Sequence, residues 1–327
     1  MKKDIKSIGV FTSGGDAPGM NAAVRAVVRT GLYHGLKVFG IMRGYEGLID
    51  GDIVEMQSRS VSNIIHRGGT ILKTARSKRF MTREGMVAAN ENIKKFGIDA
   101  IVALGGDGTF RGALEFNNHF EVPFIGLPCT IDNDLYGTDH TIGYDTAINT
   151  AMEAIDKIRD TADSHNRLFF IEVMGRDAGF IAMRSGIATG AEAILIPESP
   201  LSIDQLIAKL ERGWQRKKSS GIVVIAEGEE EGGAFEVARK VKEKFDHYDT
   251  RVSVIGHMQR GGNPTCQDRV LASRLGLAAV EALLDGKMNV MVGVMHHDVI
   301  YTPFAKATKH NLEISPYLMK LAVVLST

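Results

Sequence analysis

The sequence has few cysteines and no excess of charge of either sign. Its 327 residues include two cysteines, Cys129 and Cys266, which are too few and too far apart for a disulfide framework or a cysteine-based zinc site. Lysine and arginine number 39, as do aspartate and glutamate, so the formal net charge is zero. Nothing in this balance indicates binding to nucleic acid or to an anionic membrane.

Long apolar runs are also absent. No segment approaches the length needed to cross a bilayer, and the apolar run within MKKDIKSIGVFTSGGD is too short for a signal peptide. We therefore expect a soluble cytoplasmic protein. The composition, 44% hydrophobic and 24% charged, is typical of globular proteins. The chain is longer than one core usually serves, so we expect two domains.

Short runs rich in β-branched residues alternate with segments of helical periodicity. The predicted strands are Ser7–Thr12, Lys37–Met42, Ala100–Leu104, Pro123–Leu127, Leu168–Val173, Ala193–Ile196, Ile222–Ala226, Arg251–Ile255 and Met291–Met295. Between them, Asp145 is placed to cap a helix with an apolar stripe at Ile148, Met152 and Ile155. Continuous apolar strands in this alternation indicate parallel sheets covered by helices on both faces. The sequence predicts an α/β protein with two domains facing each other across a cleft.

Glycine and charge concentrate where the predicted strands end, in SGGDAPG, GGDGT, MGRDAG and GHMQRGG. Ligands of open α/β sheets bind at the carboxyl ends of strands. The first cluster fits neither the dinucleotide-binding nor the Walker pattern, so a phosphate site and a tight turn remain equally open there. In the second cluster, Asp107 is flanked by glycines between a strand and a helix, which favours Mg²⁺ and phosphate binding over a purely structural turn.

The stretch PCTIDND, Pro128–Asp134, crowds two carboxylates, an amide and a hydroxyl after the apolar run PFIGL. Asp and Asn are ordinary turn residues, so a solvated turn remains open beside a metal or substrate site. Cations in polar junctions of both halves suit a phosphorylated substrate, because guanidinium groups bind phosphate oxygens bidentately. These cations are Arg76, Arg167, Arg176, Arg251, His257 and Arg260. His296-His297-Asp298 is interpreted as structural, because neighbours on a strand point to opposite faces.

In this order along the chain, TSGGDAPGMNA, GGDGT, P-x-TIDND, MGR and GH-x-QRGG resemble the bacterial ATP-dependent 6-phosphofructokinase family. The resemblance runs from Ser7 to about Thr302; GGDGT alone is shared with other kinases, whereas TIDND together with QRGG is highly specific. It implies two Rossmann-like three-layer domains with mainly parallel sheets. The larger, ATP-binding domain would comprise residues 1–143 and 259–308, and the smaller, fructose 6-phosphate-binding domain residues 144–258 and 309–327.

The resemblance also implies a reaction, the transfer of the γ-phosphate of ATP to the C1 hydroxyl of fructose 6-phosphate in glycolysis. Asp132 would accept the proton of that hydroxyl, Thr130 would lie against the transferring group, and Asp107 would hold Mg²⁺. Arg76 and Arg176 would neutralise phosphoryl charge. The ATP contacts would be Gly14, Tyr45, Arg76, Ser77, Gly106, Asp107, Gly108 and Thr109. The sugar-phosphate contacts would be Thr130, Ile131, Asp132, Arg167, Met174, Gly175, Arg176, Glu227, Arg251, His257, Met258, Gln259 and Arg260.

Regulation and assembly are implied as well. Arg167 and Arg251 would reach into the site of a neighbouring subunit, which makes the protein a homotetramer with shared active sites. An effector site for ADP or phosphoenolpyruvate would involve Arg25, Arg29, Arg59, Arg159, Gly190, Glu192, Arg216 and Lys218. Arg25 and Arg29 share one helix face, for which a solvated stripe is the alternative. Arg59 is shifted by one place from the family pattern.

Some residues depart from the family pattern. Cys129 replaces the usual glycine, Ser77 stands where an aromatic residue often follows the arginine, and Asp177 after MGR is less usual. A pyrophosphate-dependent relative would typically carry Asp at position 108 and Lys at position 129. Gly108 therefore favours ATP, and Cys129 favours neither donor.

A catalytically inactive sensor of nucleotide or sugar phosphate is the alternative from another functional class. Asp107, Asp132 and Arg176 are all present, which argues against it, because a protein that only binds needs no proton acceptor.

Overall fold

A computed structural model describes residues 5–309 and 313–326. The first lysines of the N-terminal stretch and the extreme residues of the predicted domains lie outside these ranges. The chain forms two compact units. Unit 1 contains the described residues of Met1–Ile131, Leu135–Thr146 and Arg260–Asn311, and unit 2 those of Asp132–Asp134, Ala147–Gln259 and Leu312–Thr327.

The elements alternate along the chain as the sequence predicts. The strands are β1 Ser7–Thr12, β2 Lys37–Ile41, β3 Ile53–Met56, β4 Ala100–Gly105, β5 Phe124–Pro128, β6 Arg167–Val173, β7 Ala193–Leu195, β8 Gly221–Ala226, β9 Asp249–Val254, β10 Val290–Met295 and β11 Asp298–Pro303. The helices are α1 Met20–Tyr33, α2 Tyr45–Asp50, α3 Arg83–Lys95, α4 Asp107–Asn117, α5 Tyr144–His165, α6 Phe180–Ala188, α7 Ile203–Gln215, α8 Gly233–Lys244, α9 Cys266–Leu284, α10 Phe304–Ala307 and α11 Pro316–Leu325.

Unit 1 is built on a seven-stranded sheet in the order β11-β10-β5-β4-β1-β2-β3. Its inner strands pair in parallel, and only the edge strands β3 and β11 are antiparallel. The register pairs Thr12 with Leu104 and Gly105 with Pro128, so β1, β4 and β5 end side by side. The loops that follow these three strands therefore leave the sheet at one edge.

Helices cover both faces of this sheet. Ile8 on β1 packs against Gly31 of α1, whereas Phe11 on the same strand belongs to a core cluster with residues of α2, α3 and α4. Side chains at an odd spacing along a strand point to opposite faces, so α1 and the cluster lie on different sides. Within the cluster, the rings of Phe110 and Phe304 stack with centroids 5.1 Å apart. A Cβ at Gly126 would lie 2.4 Å from the Phe110 ring, so these rings pack directly on the backbone of β5.

Unit 2 contains a four-stranded sheet in the order β7-β8-β6-β9, with every pairing parallel. Its core joins Phe170 on β6 and Val223 on β8 to the apolar stripes of α7 and α8. Helix α7 begins with a capping box, in which Ser202 accepts from the Gln205 N–H and the Gln205 side chain accepts from the Ser202 N–H. Helix α11 packs against α6.

The prediction of an α/β fold with mainly parallel sheets is confirmed. Each predicted strand is present with small shifts at its ends, but β3 and β11 were not predicted. Two residue placements were wrong, whereas the interpretation of His296-His297-Asp298 as structural stays a prediction. Asp145 lies inside the first turn of α5 rather than before it, and His296 and His297 lie in the turn between β10 and β11 with left-handed φ values of 49° and 73°. Within the described residues, none of the helices has the length and apolar character needed to span a membrane.

Candidate active site

The loops after β1 and β4 are joined by hydrogen bonds at the carboxyl edge of the unit 1 sheet. The Ser13 N–H donates to the Leu104 carbonyl at 2.9 Å, and the Thr109 hydroxyl donates to the Ser13 carbonyl at 3.4 Å. From a third segment, the Thr74 hydroxyl donates to the Gly14 carbonyl at 2.8 Å. The predicted nucleotide contacts Gly14 and Thr109 are thereby brought together from distant parts of the sequence.

Asp107 and Gly108 lie in the first turn of α4, where backbone N–H groups point outward and the helix dipole favours an anion. A Cβ at Gly108 would meet no atom within 4 Å, so the space in front of this turn is open. The Asp107 carboxylate forms an ion pair with Arg111 at 3.2 Å. The turn thus combines open space and backbone N–H groups, which can bind phosphate oxygens, with one carboxylate, which can bind a cation.

Two further predicted nucleotide contacts lie behind these loops. The ring of Tyr45 is buried and stacks on Phe80 at 3.9 Å between centroids, and its hydroxyl donates to the Thr109 carbonyl at 2.6 Å. Burial raises the pKa of this hydroxyl. The Ser77 hydroxyl accepts from the Phe80 N–H at 3.0 Å, whereas Arg76 is exposed. Tyr45 and Ser77 therefore also have a structural role, which is to support the loop from its buried side.

The PCTIDND loop is fixed at its beginning to β4 on one side and to the segment before α5 on the other. The Cys129 N–H donates to the Gly105 carbonyl at 3.0 Å, and the Ile142 N–H donates to the Pro128 carbonyl at 2.8 Å. The Thr141 hydroxyl donates to the Thr130 carbonyl at 2.6 Å, and the Thr130 side chain lies close to Gly106. Thr130 is thus held beside the glycine-rich turn of β4.

Most of the side chains that follow in this loop are withdrawn from solvent. Ile131 is fully buried, and Asp132 and Asp134 are 7% and 5% exposed. Asn133 between them has a left-handed φ of 55°, a conformation that Asn adopts more readily than most residues. Two carboxylates on so short and buried a segment do not fit a solvated turn, so the structure favours the alternative of a binding or catalytic loop.

The Cys129 side chain is buried, and its surroundings favour the protonated thiol. Burial raises the pKa of the thiol, and the negative charge of Asp268 raises it further. The thiol is therefore protonated at neutral pH and adds no charge to the loop. Cys266, at the start of α9, is exposed.

Arg260 contacts the first glycine-rich loop. Its guanidinium group donates to the Asp16 carbonyl at 3.3 Å, and a Cβ at Gly15 would lie 2.5 Å from a guanidinium nitrogen. Gly15 therefore leaves the space that this side chain occupies. A predicted sugar-phosphate contact and a loop predicted to bind nucleotide phosphate thus touch within unit 1.

Several predicted sugar-phosphate contacts of unit 2 meet at the carboxyl ends of β6 and β8. Glu227 accepts through Oε1 from the Arg176 N–H at 2.6 Å and from the Gly175 N–H at 3.4 Å. The buried Gln259 accepts from the Met174 N–H at 2.8 Å. Arg176 has a left-handed φ of 56°, which is uncommon for a residue with a side chain and frequent at functional sites.

Two more predicted sugar-phosphate contacts of unit 2 are His257 and Met258. They lie in the 3₁₀ turn Gly256–Arg260, and the side chain of Met258 is largely exposed. The turn follows β9, so it belongs to the same edge of the unit 2 sheet as Met174 and Glu227.

Arg167 and Arg251 lie apart from that edge. Arg167 begins β6 and Met174 follows its end, so the strand separates them by roughly 20 Å at about 3.3 Å per residue. Asp249 binds both cations, with Arg167 Nε 2.9 Å and an Arg251 guanidinium nitrogen 2.5 Å from its oxygens. The hydrogen bond from Arg167, assisted by the charge of Arg251, lowers the pKa of Asp249. The two arginines form one cationic pair at the opposite edge of the sheet.

The predicted effector residues fall into two groups. Arg25 and Arg29 on α1 and Arg59 in the 3₁₀ turn Ser58–Val61 belong to unit 1. Burial, and secondly the charge of Arg29, lowers the pKa of Arg25. The second group belongs to unit 2 and comprises Arg159, Gly190, Glu192, Arg216 and Lys218.

Two contacts link members of the second group in pairs. Lys218 pairs with Glu192 at 2.8 Å, and the guanidinium group of Arg159 donates to the carbonyls of Thr189 and Gly190. Arg216 follows α7 at its C-cap. The carboxylate of Glu192 is thus already neutralised by one cation.

A buried carboxylate next to the loop was not predicted from the sequence. Asp268, in the first turn of α9, accepts hydrogen bonds from the backbone at the start of α5. The available signal was the pattern Thr265-x-x-Asp268, which is typical of a helix N-terminus. The pattern indicates that α9 begins there, but it does not indicate that the same aspartate serves a second helix.

Comparison with known proteins identifies the family. The model of the family described as phosphofructokinase matches residues 7–283, so the chain belongs to the phosphofructokinase family. ATP-dependent 6-phosphofructokinase 2 of Bacteroides thetaiotaomicron is 56% identical over 322 residues, which are 98% of this chain and 99% of that protein. ATP-dependent 6-phosphofructokinase of Cytophaga hutchinsonii is 56% identical over 318 residues, 97% of each chain.

The solved structure of phosphofructokinase from Saccharomyces cerevisiae has the same fold, with a TM-score of 0.88 and 36% identity. The match covers 98% of this chain and 46% of the yeast chain, so this chain spans less than half of that protein. The resemblance inferred from the motifs is confirmed.

The two cysteines should differ in their reaction with a dithiobis-nitrobenzoate reagent at neutral pH. We expect the folded chain to release one equivalent of thiolate, from the exposed Cys266, because the Cys129 thiol is buried and protonated. Full denaturation should release the second equivalent. In the control Cys266→Ser, the folded protein should not react; rapid reaction of that variant would show that Cys129 is accessible.

Proposed function

We propose that this chain is an ATP-dependent 6-phosphofructokinase, which transfers the γ-phosphate of ATP to the C1 hydroxyl of fructose 6-phosphate and yields fructose 1,6-bisphosphate and ADP. The observation that supports this most directly is the arrangement of Gly14, Asp107 and Thr130 on adjacent loops of one sheet edge. As a glycolytic enzyme it would act in the cytoplasm. ATP is assigned to domain 1–143 with 259–308, and the sugar phosphate to domain 144–258 with 309–327.

In this proposal Asp132 is the proton acceptor. The C1 oxygen of the sugar forms a bond to the γ-phosphorus while its proton passes to the Asp132 carboxylate, and the bond to the oxygen bridging the β- and γ-phosphates breaks. A loose phosphoryl-transfer transition state requires positioning and charge neutralisation more than covalent chemistry. The glycine-rich turns would supply N–H groups to the phosphates, and Arg76 and Arg176 would bind the phosphoryl oxygens.

Mg²⁺ is the cation that we assign to Asp107. In the described part of the chain, no group of three or more His, Cys, Asp or Glu side chains is arranged to hold a metal ion. Mg²⁺ is usually bound by one or two carboxylates together with substrate phosphates and water, so a single carboxylate at a phosphate-binding turn fits it. When bound, Mg²⁺ would neutralise phosphate charge; Arg111 would then have to share or release Asp107.

We assign a homotetramer with shared active sites, and the position of Arg167 and Arg251 supports this assignment. Arg167 lies roughly 20 Å along β6 from Met174, and Arg251, which pairs with Phe169, lies roughly 16 Å from it, so the strand separates both cations from the sugar-phosphate contacts at its end. A neighbouring subunit would therefore receive them. Asp249 would keep the two guanidinium groups together until the partner's substrate arrives.

Replacing the proton acceptor should stop catalysis and spare binding. We expect Asp132→Ser to reduce kcat by roughly 10²–10⁴-fold or more, because a general base contributes about that much. The measurement is a coupled assay with ATP and fructose 6-phosphate, with substrate affinities taken from calorimetry. Asp156→Ser, an exposed position on α5, serves as the control and should leave kcat unchanged. Turnover near the wild-type rate in Asp132→Ser would contradict the mechanism.

The phosphoryl donor should be ATP rather than pyrophosphate. Gly108 leaves open space where the nucleotide's α-phosphate would lie, and Cys129 offers no positive charge to hold pyrophosphate. We expect Gly108→Asp to lower kcat/KM for ATP strongly, because a carboxylate there would fill that space and repel the phosphate, and the control Cys129→Gly to be tolerated. The decisive quantity is the ratio of kcat/KM for the two donors at saturating fructose 6-phosphate. A wild-type ratio favouring pyrophosphate would refute the assignment.

We further propose that Arg25 and Arg29, together with Arg159, Glu192 and Lys218, contribute to a subunit-interface site that binds ADP or phosphoenolpyruvate as effector. Allosteric coupling is typically about 5–150-fold in affinity. Saturation curves for fructose 6-phosphate should therefore shift when either effector is added. Arg25→Ala should abolish the shift, whereas Lys94→Ala, exposed on α3, should preserve it. Superimposable wild-type curves with and without both effectors would remove this proposal.

A further inference from the structure

Helices α5 and α9 begin beside each other in unit 1, and one buried carboxylate serves both. Asp268 lies in the first turn of α9 and is 1% exposed. Its Oδ1 accepts from the Gly143 N–H at 2.8 Å. Its Oδ2 accepts from the Thr146 N–H at 2.8 Å and from the Thr146 hydroxyl at 2.5 Å. The Asp268 side chain, which belongs to α9, therefore caps α5. The cap of a helix is ordinarily a residue just before that same helix.

The contact is reciprocal. Thr265, the N-cap of α9, accepts from the Asp268 N–H at 3.3 Å and donates its hydroxyl to Asp145 on α5 at 2.6 Å. The Thr265 N–H donates to the Thr146 hydroxyl at 3.0 Å. Two aspartates and two threonines thus form a closed network between two helix N-termini, where negative charge is favoured.

The three hydrogen bonds to the Asp268 side chain favour its ionised form, whereas burial opposes it. Burial raises the pKa of this carboxyl, the charge of Asp145 adds to that, and the hydrogen bonds from Thr146 and Gly143 lower it. Each of the three hydrogen bonds to the Asp268 carboxylate comes from an N–H or O–H donor. A protonated or amide side chain would replace an acceptor with a donor and leave a buried N–H unsatisfied.

The segment that Asp268 caps also holds the PCTIDND loop. Directly before Gly143, the Ile142 N–H donates to the Pro128 carbonyl at 2.8 Å, and the Thr141 hydroxyl donates to the Thr130 carbonyl at 2.6 Å. A continuous path of hydrogen bonds and short backbone links therefore runs from Asp268 to Thr130. Asp132 is two residues further along the same buried loop.

We propose that Asp268 is a positioning residue for phosphoryl transfer. Its ionised carboxylate fixes the start of α5, the segment before α5 fixes the carbonyl of Thr130, and the loop thereby holds Asp132 at the reacting atoms. This inference rests on the proposed function, because it assigns a purpose to the loop that carries the proton acceptor. A displacement of about 1 Å at a reacting group can cost on the order of 10²-fold in rate.

The test compares Asp268→Asn with two other variants. Asp268→Asn should lower kcat on the order of 10²-fold while the KM values for ATP and fructose 6-phosphate stay near those of the wild type. Thr141→Val, which replaces the hydroxyl bound to the Thr130 carbonyl with a methyl group, should lower kcat in the same way. Because both act through one path, the double variant should lose less than the product of the two single losses.

Thr82→Ala is the matched control for lost helix capping. Thr82 caps α3 in the same unit by accepting from the Gly85 N–H at 3.1 Å, and within the described residues its other hydrogen bonds go to Arg79 and Met86 rather than to the PCTIDND loop. We expect this variant to lose stability and to keep its kcat per folded chain. A purely structural role for Asp268 would make Asp268→Asn behave like Thr82→Ala, and that result would overturn the proposal.

Two further results are decisive. If Asp268→Asn does not fold, Thr141→Val carries the test alone, and an unchanged kcat in that variant would refute the path. If the wild-type chain shows no transfer from ATP to fructose 6-phosphate, the proposed function fails instead. The two failures are distinguishable, because the first leaves wild-type activity intact.

Discussion

The common end of three parallel strands is the constraint on which the rest of unit 1 depends. The register pairs Thr12 with Leu104 and Gly105 with Pro128, so three loops with no sequence proximity leave the sheet side by side. Backbone hydrogen bonds in a parallel ladder fix that register, and the burial of β1 and β4 on both faces prevents a slip by one residue. The loops can therefore be polar and rich in glycine, because the hydrogen-bonded strands fix the positions at which the loops begin.

Much of this arrangement could be predicted from the sequence. Buried parallel strands are continuous apolar runs, and glycine clusters after them mark the ligand-binding edge; both signals are local and strong. Edge strands give weaker signals, which is why β3 and β11 were missed: each is half-exposed and pairs antiparallel with one neighbour only. The ligand roles of individual residues came from motif resemblance and could not be obtained from periodicity alone.

Contacts between elements that are distant along the chain could not be predicted from the sequence. Asp145 has the expected chemistry for a cap, yet it lies inside α5, and a carboxylate more than a hundred residues later performs that task. Tyr45 matches a nucleotide contact by motif, yet its ring packs on Phe80 and its hydroxyl supports Thr109. In each case a tertiary partner determines what the side chain does, and no spacing along the chain reveals that partner.

The order of strands also has a consequence for how the chain acquires its structure during synthesis. The whole sheet of unit 2 comes from the continuous stretch β6 to β9, whereas unit 1 needs β10, from the end of the chain, to pair with β5. Unit 2 can therefore complete its sheet while unit 1 still exposes one side of β5. Asp268 is also made late, so the cap of α5 forms only after most of the chain exists. A nascent chain would hold Thr130 and Asp132 loosely until then, and the loop would become ordered among the last parts of the molecule.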